Sequence, residues 1–153
     1  MKKIFRHCEI FKKNQYKRFE IKILFNNIKN MKKRKIVLIE DDVILSKVIN
    51  EELEESDFDI HRAFTGSKGL DMIKSEMPDL VLLDLVLPEM SGFDVLAEAK
   101  KDPKTKNVPV IILTMLGSDD DIKKGISLGA QDYIVKSQHA VGEIIEKVKS
   151  FLQ

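Results

Sequence analysis

The chain has 153 residues and a formal net charge of +1, with 43% hydrophobic and 33% charged residues, which leaves room for one domain with a core of its own. Its single cysteine, Cys8, excludes an internal disulfide and fits a reducing cytoplasm, and no Cys/His spacing suits a zinc site. No apolar stretch reaches the roughly 20 residues that span a bilayer, and lysines and arginines break every candidate signal segment.

The near-neutral total hides a division. Residues 1–35 hold 13 Lys/Arg against 2 Asp/Glu, whereas residues 36–153 hold 13 against 23. Residues 1–34 mix Lys, Arg and Asn with scattered Ile and Phe and show no period. They are read as a basic extension, disordered or upstream of the true start, since Met31 opens MKKRKIVLIEDD. A tail that binds nucleic acid or an anionic membrane surface is the second reading.

From Lys35 onward, strand-like and helix-like segments alternate. KIVLI (35–39) is a first strand that runs into Glu40 and Asp41, with Asp42 placed to cap the helix that follows. In that helix Val43, Ile44, Ser46-Lys47, Val48, Ile49 and Leu53 give an apolar stripe at helical spacing. Asp59–Phe64 alternates as an edge strand would, and Gly66–Met77 is helical up to Pro78. Leu80–Asp84 is a third strand, followed by a loop to Gly92 and a helix over Phe93–Lys101. Pro109–Thr114 is a fourth strand. Asp119–Leu128 is a helix opened by three aspartates, which suit its N-terminal dipole, and closed by Gly129. Gln131–Lys136 is the fifth strand and Ala140–Leu152 the last helix. Five such alternations imply right-handed crossovers and a parallel sheet covered on both faces.

Each strongly apolar run stops at a polar residue: Glu40 and Asp41, Asp84, Thr114, and Lys136. Neighbouring parallel strands lie about 4.8 Å apart, so their C-terminal ends bring these groups to one edge, where open sheets bind ligands. Glu40, Asp41 and Asp84 form an all-oxygen set whose mutual repulsion asks for a cation, and Mg²⁺ suits it. Asp84 is then placed to attack phosphorus, with Lys136 and the Thr114 hydroxyl positioned for the phosphoryl oxygens.

The segments IVLIEDD, DLVLLDLVLPEMSGFDVL, VPVIILT and GAQDYIVK resemble the receiver domain of two-component response regulators, from about Lys35 to Leu152. The resemblance implies a flavodoxin-like, doubly wound α/β domain whose five parallel strands run in the order 2-1-3-4-5. It also implies a phosphorylation switch, not a metabolic enzyme, which catalyses only its own phosphotransfer and slow dephosphorylation. Asp84 becomes the phosphoacceptor. Asp41 and Asp84 become Mg²⁺ ligands with the Val86 carbonyl, and Glu40 acts through water. Thr114 and Lys136 contact the phosphoryl group, and Tyr133 is the aromatic switch residue that moves inward with Thr114. The implied partners are a histidine kinase or phosphotransfer protein and a downstream protein target, with no nucleic-acid binding by the receiver itself. The expected setting is cytoplasmic, with output through a partner protein.

Three departures from the family pattern bear on the site. Ser137 follows Lys136 where the family usually has a proline after a cis bond, and a cis bond before Ser costs about 2.5–4 kcal/mol. Met115 stands where a small residue is usual, so its bulk is expected to narrow access to Asp84. Val86 and Leu116 are apolar where the family helps to admit or orient water, so slow loss of the phosphoryl group is expected. Two other classes share the architecture. An Mg²⁺-dependent phosphohydrolase with an aspartyl nucleophile would usually carry a second acid at position 86, which is Val. A flavin mononucleotide binder would need a phosphate loop after the first strand, where Glu40-Asp41-Asp42 repels phosphate. His61 and His139 are read as surface residues, and the methionines as core filling.

Overall fold

A computed structural model of the chain describes residues 33–152. The element order is β1 (Lys35–Ile39), α1 (Val43–Glu55), β2 (Asp59–Ala63), α2 (Gly66–Glu76), β3 (Leu80–Leu83), α3 (Gly92–Lys101), β4 (Val110–Thr114), α4 (Asp119–Ser127), β5 (Asp132–Val135) and α5 (Val141–Leu152). A short 3-10 turn, Lys136–Gln138, joins β5 to α5. All four strand pairings are parallel and the spatial order is β2-β1-β3-β4-β5, as the resemblance implied. The expected boundaries agree to within one or two residues, the normal fraying of element ends. The basic extension lies outside the described residues, apart from Lys33 and Arg34.

The central strands β3 and β4 are buried on both faces because every residue in them but the terminal Thr114 is apolar. Val37, Ile39, Val81, Leu83 and Ile112 pack on one side against Leu70 and Ile73 of α2 and Val95 and Leu96 of α3. Ile36, Leu38, Leu80, Leu82, Ile111 and Ile134 pack on the other against Ile49 and Leu53 of α1 and Ile144, Ile145 and Val148 of α5. β2 stays half-exposed along most of its length, as an edge strand should.

The stripe expected on α1 is only half right. Ile49 and Leu53 are buried, but the third core position is Ser46, while Val43 is 62% and Ile44 78% exposed. At 100° per residue, positions 46, 49 and 53 share one face, and 43, 44 and 48 fall outside it. Asp42 caps the helix by accepting from the N–H groups of Ile44 and Leu45. His61 lies 3.3 Å from Asp59 and His139 3.4 Å from Glu143, and both are partly exposed. Among the described residues, no helix is long and apolar enough to cross a membrane.

Candidate functional site

Three strand ends meet at one mouth. Glu40 continues β1, its N–H donating to the Ala63 carbonyl at 3.0 Å, and Asp84 continues β3, its N–H donating to the Ile39 carbonyl at 2.9 Å. The loop after β3 folds tightly back onto the acceptor backbone. Gly92 donates to the Leu85 carbonyl at 2.9 Å, and a Cβ at Gly92 would collide with the Asp84 carbonyl oxygen. Only glycine fits there.

Lys136 reaches the mouth from the end of β5. Its Nζ lies 2.5 Å from Asp84 Oδ2 and 2.5 Å from Glu40 Oε2, with all three side chains at least nine-tenths buried. The contact with Asp84 is a formed hydrogen bond. The contact with Glu40 is an equally short ion pair. The Lys136–Ser137 peptide is trans, and the 3-10 turn opened by Lys136 and Ser137 still delivers the ammonium to both carboxylates. The second oxygen of Asp84 accepts from the Val86 N–H at 3.1 Å. The first oxygen of Glu40 accepts from the Asp42 N–H at 3.3 Å.

Carboxylate oxygens of Glu40, Asp41 and Asp84 all lie within 4.8 Å of one another. Burial pushes the Glu40 carboxyl above its ordinary range, and the Lys136 ammonium only partly offsets it. Burial by itself would lower Lys136, but the hydrogen bonds and charges of Asp84 and Glu40 outweigh it and raise the ammonium. Three carboxylates against one ammonium leave the mouth short of positive charge. The donor set is hard oxygen. That suits a divalent cation which keeps its own waters.

Thr114 ends β4 fully buried, and its Oγ1 accepts from the Leu116 N–H at 3.4 Å. Val86 and Met115 stand exposed beside the acceptor and the threonine in sequence, at 57% and 62%. Met115 points its bulk outward instead of filling the core.

The model of the response regulator receiver domain matches residues 36–149. The chain belongs to that family. It is 35% identical over 119 residues to the DNA-binding dual master transcriptional regulator RpaA of Synechocystis, across 78% of this chain and 49% of RpaA. The chain therefore spans about half the length of that curated relative. Among solved structures it resembles a CheY-like receiver from Methanospirillum hungatei, with TM-score 0.73 and 27% identity over 79% of this chain and 94% of that one. The Mn²⁺-bound form of response regulator Rcp1 gives TM-score 0.71 and 30% identity, over 78% and 94%. Phosphorylation and Mg²⁺ binding at an acidic pocket are features of this family, and the acidic pocket is present here.

The switch positions of this receiver bring a contact that the sequence did not announce. Tyr133 is turned inward, its hydroxyl donating to the Leu116 carbonyl at 2.9 Å. Burial, with Asp121 and Asp84 nearby, pushes its phenol up to about 12. Leu116 thus meets Thr114 through its N–H and Tyr133 through its C=O. A backbone group leaves no mark in a sequence, so side-chain reasoning passed over it.

Proposed function

We propose that this receiver takes a phosphoryl group on Asp84 from a histidine kinase or phosphotransfer protein and signals through a protein partner in the cytoplasm. The observation that carries the reading is the Asp84 carboxylate, fixed between the Lys136 ammonium and the Val86 N–H, with Glu40 and Asp41 oxygens within 4.8 Å. Asp41, Asp84 and the Val86 carbonyl are the candidate ligands for Mg²⁺, with Glu40 accepting from a metal-bound water. Bound there, Mg²⁺ supplies the positive charge that phosphoryl oxygens require.

Asp84 attacks phosphorus, the bond from phosphorus to the donor nitrogen breaks, and the freed imidazole takes up a proton. Lys136 follows the charge from the carboxylate to the new phosphoryl oxygens, a short move because its Nζ already touches Asp84. Thr114 turns its hydroxyl to the same group while its oxygen keeps the Leu116 N–H. Val at position 86 leaves the phosphohydrolase reading without its second acid. Asp84→Asn should abolish labelling by a small phosphodonor with Mg²⁺, measured by intact mass; labelling equal to wild type would sink the assignment.

A further inference from the structure

Tyr133 is turned inward, with its hydroxyl on the Leu116 carbonyl. The reason lies one element away. In α4, Gly125 is buried, and an ideal Cβ there would lie 2.6 Å from Ile112 Cδ1 and 3.0 Å from Tyr133 Cδ2. The helix rests its backbone on the edge of the tyrosine ring. The preceding loop is drawn in the same way, since a Cβ at Gly117 would lie 3.1 Å from Val135 Cγ1.

A glycine inside a helix costs about 1 kcal/mol relative to alanine, so α4 would be a better helix with alanine at 125. Alanine does not fit unless Ile112 and Tyr133 both give way. Ile112 offers the end of a flexible side chain and can yield. The tyrosine cannot do so cheaply, because its ring is packed on the core and its hydroxyl is bound to Leu116.

We infer that Gly125 is a positioning residue of the switch: its missing side chain lets α4 close over Tyr133 and hold the phenol on the Leu116 carbonyl before Asp84 is phosphorylated. The inference uses the reading of Asp84 as acceptor only for its consequence. Tyr133 is then already in place on Leu116 when Asp84 accepts a phosphoryl group.

The test reads the Leu116 carbonyl and the Tyr133 ring by NMR, in a Tyr16→Phe background where Tyr133 is the only tyrosine. In the unmodified chain, and equally in Asp84→Asn, the Leu116 carbonyl should carry the shift of a hydrogen-bonded group that Tyr133→Phe removes. Gly125→Ala should lose that shift to the Tyr133→Phe value, and should change nothing further when added to Tyr133→Phe. Adding Ile112→Val removes the competing clash and keeps the fold accessible if Gly125→Ala alone destabilises it. A wild-type Leu116 shift in Gly125→Ala/Ile112→Val overturns the role of Gly125. An unmodified chain without the Tyr133–Leu116 bond overturns the preset switch. Neither result touches the labelling of Asp84, which tests the proposed function separately.

Discussion

At the N-terminal ends of the strands, Lys33 pairs with Asp57, Arg34 with Asp79 and Lys35 with Glu76, each cation with its own acid. At the C-terminal ends, Lys136 alone faces Glu40 and Asp84, with Asp41 beside them. The first set is balanced and, apart from the half-buried Lys35–Glu76 pair, exposed; the second buries Lys136, Glu40 and Asp84, leaves Asp41 exposed, and is short of positive charge. Ion pairs of the first kind hold charge without using it, because water would serve nearly as well. A buried deficit of positive charge needs a further partner, and that need is what separates a site from a decorated surface.

The sharpest way to break this contrast is to remove its pivot. Lys136→Ala should destabilise the domain by about 3 kcal/mol in urea melts without divalent ions, because two buried carboxylates lose their counter-charge. Added Mg²⁺ should recover part of the loss. A variant as stable as wild type would mean that Glu40 and Asp84 do not depend on Lys136.

The mouth is also apolar at its rim, which the far end is not. If Val86 and Leu116 exclude the hydrolytic water, the aspartyl phosphate should persist for minutes in Mg²⁺, and Val86→Asn should shorten its lifetime several-fold. Phosphate release after a labelling pulse measures both; a wild-type half-life of seconds defeats the idea.

Acid should act on the two ends in opposite directions. Glu40 is raised in the folded state, so the native form binds its proton first, and stability gained at low pH is lost as pH rises through the raised value. Glu76 is lowered by its hydrogen bond and charge contact with Lys35, so its contribution is present above the ordinary carboxylate range and is lost as pH falls through it. Glu40→Gln should therefore raise stability near neutral pH by about 1 kcal/mol, flatten the pH profile on the acid side, and weaken Mg²⁺ binding. Urea melts from mildly acidic to neutral pH, paired with an Mg²⁺ titration, check all three. The smallest effect belongs to the wet end: Arg34→Ala should change stability by less than about 0.5 kcal/mol, and by less still in high salt.

Much of this was legible in the chain. Runs of Val, Ile and Leu too short for helices, each stopped by a polar residue, imply buried parallel strands whose ends converge. Glu40, Asp41, Asp84 and Lys136 do meet. The rotation of α1 was less legible, because Val43, Ile44, Val48, Ile49 and Leu53 together cover too wide an arc to say which side is buried. Ser46 fell within that arc, but a hydroxyl gives no sign that it is fully buried.

The strand order was implied by the resemblance to the family, while the polar stops and the acidity of the mouth follow from residue type and spacing, which are local properties of the chain. The reach of Lys136 across a trans peptide, the inward Tyr133 and the fit of α4 over Gly125 do not. Those depend on how closely two elements approach in space, and approach is decided by the side chains between them. The family explains why the mouth exists. Its tyrosine sits inside, against the bare backbone of Gly125 in the neighbouring helix.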